Sequence, residues 1–445
     1  MVKVGILIGD YQFPKKITVT SRKGTKMSKI KKRNVIVGQS GGPTAAINSS
    51  LAGVYRTAKD RGYAKVYGMI HGIQGFMEGR YVDLSEHIQT GLDAELLKRT
   101  PSAYLGSCRY KLPNINEDKE LYEKIFKMLD ELEIDCFIYI GGNDSMDTIK
   151  KLSDYAIISG SEIRFVGCPK TIDNDLALTD HTPGYGSAAK YIGTSVKEII
   201  RDSWSLETTN GQVIIVEVMG RNAGWLTGAT ALAKGEDCDG PDAIYLPELP
   251  FDMDAFIKKI KALLKTKASV VVAVSEGIRT KDGKYVSELG NNIDYVDAFG
   301  HKQLTGTARY LCEVVAKECG CKTRPIELST LQRAASHCAS RVDILEAYEV
   351  GGAAMKAADE GDSGKMVVIE RLSDDPYQAG TEVKDVHKIA NDERTVPREW
   401  INKDGTYVTP EFITYVRPLI QGDVGPIMVD GIPRHLYRPG FQDIL

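Results

Sequence analysis

The chain has 445 residues, 42% hydrophobic and 26% charged, with a formal net charge of −3. That is the composition of a globular protein long enough for two cored domains. No run approaches the ~18 apolar residues of a membrane span, and the first residues lack the apolar core and cleavage site of a signal peptide, so a cytoplasmic protein with no membrane partner is expected.

Charge is unevenly distributed: residues 1–33 carry ten Lys/Arg against one acid, and the remainder carries 47 against 59. An acidic body argues against nucleic acid as a partner. Met27 opens "MSKIKKRNVIV" like a natural start, which makes residues 1–26 a basic N-terminal extension, read as a solvated tail. The eight cysteines include no C-x-x-C pair and several lie in apolar runs, so buried reduced thiols are expected; Cys319, Cys321 and His337 match no zinc spacing.

Along the chain, short β-branched runs alternate with amphipathic segments. The runs are "NVIVG" (34–38), "KVYGMI" (65–70), "CFIYI" (136–140), "RFVGC" (164–168), "VIIVEVM" (213–219), "DAIYL" (242–246), "SVVVAVSEG" (269–277) and "KMVVIERL" (365–372). Near-continuous apolar strands separated by helices predict parallel sheets covered on both faces. "LYEKIFKMLDEL" puts Leu121, Ile125, Phe126 and Leu129 on one helical stripe, and "DMDAFIKKIKALLKT" does so with Phe256, Ile257, Ile260, Leu263 and Leu264. From about Asp374 onward few strands are signalled, and the segment reads as a wrap-around extension.

Open parallel sheets bind ligands beyond the carboxyl ends of their strands. Four strands here end in polar or glycine-rich turns. "GQSGGPTAAIN" predicts a helix from about Thr44, with Gly41 and Gly42 allowing close approach of an anion, although a structural tight turn would read the same. "GGNDSMDT" sets Asp144 in what looks like a phosphate loop. "PKTIDND" places Asp173 and Asp175 two residues apart after Lys170 and Thr171; one carboxylate can take a proton while the other holds a divalent cation, or the loop is an Asx turn with an ion pair. "VMGRNAGW" supplies Arg221, while Arg109, Arg324 and Arg333 lie near other turns. Each arginine alone reads as a surface ion pair; four together favour a phosphorylated substrate. No Walker lysine motif and no full G-x-G-x-x-G is present, and "GYGSAAKYIG" does not follow a strand, which sets aside a dinucleotide oxidoreductase.

Taken together, "SGGPTAAIN", "LGSCR", "GGNDS", "PKTIDND", "VEVMGRNAGW", "SEG" and "TRPIELSTLQR" resemble the phosphofructokinases from about residue 33 to 372. The resemblance is closer to the pyrophosphate-dependent branch, because ATP users have glycine where this chain has Asp144 and Lys170. It implies an α/β fold of two Rossmann-like three-layer domains with mainly parallel sheets and an active site in the cleft between them. The expected divisions are 27–184 with about 332–385 for the donor, and 185–331 with about 386–445 for the sugar phosphate.

The resemblance further implies phosphoryl transfer from pyrophosphate to the 1-hydroxyl of fructose 6-phosphate. Asp173 would be the base, kept ionised at pH 7 by Lys170 and a metal. Gly41, Arg109, Asp144 and Lys170 would serve the donor, and Mg2+ would lie near Asn143 and Asp175. Thr171, Asp173, Met219, Gly220, Arg221, Glu276 and Arg333 would hold the sugar phosphate, with Arg324 reaching a 6-phosphate across the interface of a homodimer or homotetramer with shared sites. Asn143 replaces a usual aspartate, Thr330 a usual histidine or tyrosine, and Gln212 falls near a usual arginine. The Thr330 and Gln212 departures leave open sedoheptulose 7-phosphate as a second acceptor, and Asn143 suggests the alternative of a non-catalytic regulatory subunit, against which intact "TIDND" and "MGR" stand; the alternative of an ATP-driven reaction is argued against by Asp144 with Lys170.

Overall fold

Runs of β-branched and aromatic residues form strands when both of their faces can be covered. In the computed structural model, which describes residues 34–206, 209–290, 304, 306–390 and 392–437, all eight expected strands are present. In chain order the strands are β1 Asn34–Gln39, β2 Val66–Met69, β3 Tyr81–Asp83, β4 Ile134–Gly141, β5 Arg164–Pro169, β6 Gln212–Val218, β7 Ala243–Tyr245, β8 Ser269–Ser275, β9 Lys322–Glu327, β10 Lys365–Asp374 and β11 Tyr377–Asp385. The N-terminal extension expected at residues 1–26 lies outside the described residues.

Two main sheets result, one ordered β11-β10-β5-β4-β1-β2-β3 and one ordered β7-β8-β6-β9, and a two-stranded antiparallel pair, Met428–Val429 with Ile432–Pro433, forms a third. The inner five strands of the first are parallel, with β3 and β11 antiparallel at its edges; the second is parallel throughout. Alternate residues of one strand enter opposite cores. Val35 and Val37 join one apolar cluster and Ile36 the other, while Ile214 and Val216 face away from Val213 and Ile215. This two-sided burial is why the central strands read as unbroken apolar runs.

Strands β3, β9 and β11 escape that signal for a physical reason. All three are edge strands, and β9, "KTRPIE", is exposed enough to keep charges and Pro325. The helix expected from Thr44 spans Ile47–Asp60 instead, because the Thr44 hydroxyl accepts the N–H groups of Ala46 (3.2 Å) and Ile47 (2.9 Å) and holds the preceding residues in a turn. In the helix Lys119–Glu131 Tyr122, rather than Leu121, completes the buried stripe with Ile125, Phe126 and Leu129. The helix Met253–Leu263 is capped by Asp252, which accepts the Ala255 N–H at 3.0 Å.

The chain leaves β1 toward β2 on one side and returns to β4 on the other, so a crevice opens between the carboxyl ends of β1 and β4. The C-terminal segment packs onto the second sheet's core: Trp225 stacks on Phe412 (5.9 Å) and meets Tyr415 (5.3 Å), and Val396, Ile401 and Leu419 share their cluster. All eight cysteines are free thiols, six of them buried.

Candidate active site

The crevice holds a cavity of about 410 Å3 into which the turns after β1, β4, β5, β6 and β8 converge. Its lining includes Gly41, Arg109, Asn143, Asp144, Lys170, Thr171, Asp173, Asp175, Met219, Arg221, Glu276 and Arg333, which sequence reasoning singled out from separate motifs. Gly220, also singled out, is not in the lining, although its chain neighbours Met219 and Arg221 are.

Two glycine positions make the convergence possible. Gly41 has φ +75°, and a Cβ there would meet the Lys170 ammonium at 3.3 Å. Gly277, after β8, is pressed on the Arg221 backbone; a Cβ would lie 1.9 Å from its carbonyl oxygen. The first brings a buried cation against the β1 turn, and the second locks the β6 and β8 turns together.

Lys170 is 2% exposed and donates to the Gly42 carbonyl at 2.6 Å. Burial lowers its pKa to about 8; Asp173 and Asp175 oppose the drop, while Arg333 and Arg109 add to it. Thr171 turns the chain by accepting the Asp173 N–H at 3.1 Å, and Asn174 follows at φ 55°, which directs the neighbouring carboxylates into the cavity. Burial pushes Asp173 up in spite of Lys170 and Arg221: desolvation outweighs the ammonium. Asp175 rises to about 7 through burial and then through the charges of Asp173 and Glu393, and Glu276 to about 8 through burial and then Asp173.

The helix Asn143–Ser159 starts at the cavity, with Gly142 as its cap residue and Asp144 in its first turn, where the positive helix end favours an acid. Both polar atoms of the Asn143 side chain are buried without a hydrogen-bond partner. On the opposite wall the Gly220 N–H donates to Glu276 at 3.4 Å, and buried Gln332 accepts the Met219 N–H at 3.2 Å, which seats Arg333 beside the "MGR" turn. A Cβ on Gly42 would lie 3.6 Å from the Arg333 guanidinium.

Three sequence expectations do not converge here. Arg324 lies mid-strand on β9, exposed, 3.9 Å from Asp202, and does not line the cavity. Gln212 begins β6, at the end opposite the cavity, where its amide donates to the Ser203 carbonyl at 2.9 Å. Thr330 precedes the short helix Leu331–Ala334 and is likewise not in the lining.

Conversely, the cavity includes Asn222 and Glu393, which sequence reasoning passed over. Asn222 donates to both Glu393 carboxylate oxygens, at 3.3 and 3.2 Å. Asn222 sat inside a quoted motif and could have been taken from it; Glu393 follows no strand and carries no turn signal, so only the folded chain brings it in.

The phosphofructokinase family model matches residues 34–358. A pyrophosphate–fructose 6-phosphate 1-phosphotransferase of Xanthomonas campestris pv. campestris is 40% identical over 405 residues, covering 91% of this chain and 95% of that protein. One of Halomonas elongata is 39% identical over 403 residues, 90% of this chain and 95% of that protein. The crystal structure of a pyrophosphate-dependent phosphofructokinase from Nitrosospira multiformis superposes with a TM-score of 0.81 at 35% identity, covering 90% of this chain and 95% of that one. With a family model matching residues 34–358 and relatives 39–40% identical over about nine-tenths of its length, this chain belongs to the phosphofructokinase family.

Proposed function

We propose that the protein transfers a phosphoryl group from pyrophosphate to the 1-hydroxyl of fructose 6-phosphate, the transfer its relatives are named for, and that the reaction is reversible and gives fructose 1,6-bisphosphate and orthophosphate. The observation that carries the donor assignment is Lys170: a wholly buried cation against the Gly41 turn, on the same cavity wall as Asp144. An Asp144 carboxylate about 4 Å from a nucleotide's α-phosphate repels it by about 4 kcal/mol at an effective dielectric of about 20, nearly a thousandfold in affinity. Pyrophosphate has no third phosphate to repel, and Lys170 adds a charge for the shorter donor.

In this reading Asp173 takes the proton of the 1-hydroxyl as its oxygen bonds to the near phosphorus, and the bridging P–O bond breaks to release orthophosphate. A base pKa raised toward the working pH suits that role. Phosphoryl transfer is chiefly positioning and charge neutralisation, which Gly41, Arg109 and Lys170 supply to the donor. Thr171, Met219, Gly220, Arg221, Glu276 and Arg333 hold the acceptor.

The unpartnered oxygen of Asn143 together with Asp175 fits a hard cation, and Mg2+ takes few protein oxygens and keeps phosphate and water ligands. Among the described residues no three His, Cys, Asp or Glu gather into a cage, so these two would hold the ion. Bound there, Mg2+ would neutralise charge on the transferring phosphoryl group.

We read the two sheets as the cores of two domains divided as expected above, since β10 and β11 complete the first sheet and residues 396–419 join the apolar cluster of the second. Arg324, exposed on edge strand β9, is assigned to a neighbouring subunit's site in a homodimer or homotetramer. A cytoplasmic setting accords with the absence, among the described residues, of any helix long and apolar enough to cross a membrane.

The test offers purified protein Mg2+ and fructose 6-phosphate with pyrophosphate or ATP in parallel. Turnover with pyrophosphate alone is expected; turnover only with ATP overturns the donor assignment, and none with either favours a regulatory subunit.

A further inference from the structure

The loop carrying Asp173 and Asp175 contains two non-glycine residues in the left-handed region, Asn174 (φ 55°) and Leu178 (φ 61°). Such residues persist only where their surroundings over-determine them. The over-determination comes from Arg394, more than 200 residues away in sequence. Its backbone N–H donates to the Asp175 carbonyl at 2.8 Å. Its guanidinium donates to the carbonyls of Thr179 (2.9 Å), Asp180 and Asn174 (3.3 Å), and to the Tyr415 hydroxyl (2.9 Å).

That hydroxyl is itself satisfied within the same loop: it donates to the Asp180 carbonyl at 2.7 Å and accepts from the Asn174 amide at 2.9 Å. The guanidinium lies 4.6 Å from the Trp225 ring centre, and the Trp225 indole N–H donates back to the Arg394 carbonyl at 3.0 Å. Two residues further on, the Val396 N–H shares the Glu248 carboxylate with the Gly224 N–H, at 2.9 and 2.7 Å. The segment therefore stitches the "TIDND" loop to the "MGRNAGW" turn through its own backbone.

We propose that Arg394 is a positioning residue for phosphoryl transfer: by binding the carbonyls of residues 174, 179 and 180 it fixes the direction in which the Asp173 and Asp175 carboxylates enter the cavity. It does not line the cavity and acts only through the loop. Its planar fork meets several carbonyls at once, which a lysine ammonium cannot reproduce in full.

The proposal rests on the function assigned above, and wild-type protein assayed with pyrophosphate and fructose 6-phosphate tests that assignment by itself. Arg394→Met is expected to lower kcat on the order of 100-fold, the size of effect a misplacement of about 1 Å produces, with KM for both substrates within about threefold. Arg394→Lys should recover about tenfold of the loss, a rescue that a purely scaffolding residue would not show in kcat. Hydrogen exchange should quicken at residues 173–182 in the folded variant while β4 and β5 stay protected. Wild-type turnover combined with an unchanged kcat in Arg394→Met, or a loss expressed equally in KM, overturns the proposal. Should Arg394→Met not fold, Tyr415→Phe decides: the same split at about tenfold supports it, and an unchanged kcat overturns it.

Discussion

Lys170 and His181 are both buried and both cationic groups, eleven positions apart, yet the fold treats them oppositely. Burial drives the Lys170 pKa down to about 8, because its hydrogen-bond partner is a neutral carbonyl and its carboxylate neighbours are offset by Arg333 and Arg109. Burial would lower His181 as well, but Glu346 Oε2 at 2.7 Å and Asp180 Oδ2 at 2.8 Å raise it to about 9. Those carboxylates are in turn held by the Tyr377 hydroxyl (2.7 Å) and by Arg371 (3.0 Å). The His181 circuit is closed within the protein and serves stability. Lys170 is left electrostatically unfinished, and in the proposed function the anionic donor completes it.

The contrast can be broken or sharpened by experiment. The largest effect is expected at the carboxylate beside the unfinished cation: Asp173→Ser should lower kcat by about 10²- to 10⁴-fold, with substrate affinity nearly intact in binding measurements. An unchanged rate removes Asp173 from the base role. Next, Asp144→Gly with Lys170→Gly should admit ATP and weaken pyrophosphate use, a relative donor shift approaching a thousandfold if the repulsion of about 4 kcal/mol is relieved. A double variant still blind to ATP, in kcat/KM for each donor, places the exclusion elsewhere.

The closed circuit should answer differently. Glu346→Gln is expected to cost on the order of 3 kcal/mol in urea unfolding at pH 7, while kcat per folded molecule changes little. A raised histidine pKa gives stability that is complete below about pH 6.5 and lost as pH rises through about 9, worth about 3 kcal/mol in wild type. That loss should flatten in the variant; an identical pH profile would mean His181 is not what titrates.

The smallest effect returns to Lys170. Because its pKa of about 8 should rise when a phosphate anion binds, pyrophosphate binding at pH 8.5 should take up a fraction of a proton that Lys170→Met does not. Calorimetry in buffers of different ionisation enthalpy measures it, and equal uptake in both proteins would show the lysine already charged when free.

Most of the candidate site was legible because it is built from turns directly after apolar strands. Once "NVIVG", "CFIYI", "RFVGC" and "VIIVEVM" are read as parallel strands, the residues after each must meet at one edge of a sheet. Edge strands β9 and β11 were not legible, since a strand covered on one side needs no apolar run. Arg324 lies on that exposed edge, outside the cavity of its own chain, where the expectation that it reaches a neighbouring subunit's site would place it. The upward push of burial on Asp173 was not legible, because adjacency to Lys170 is visible in sequence and depth is not.

The sequence by itself determined which chemical groups stand at the strand ends, since strand period and turn residues are local properties of the chain. Tertiary structure alone decided how those groups are charged and aimed. Desolvation depends on everything packed around Lys170 and Asp173, and the loop between Asp173 and Asp180 is held by Arg394 and Tyr415, which no local pattern connects to it.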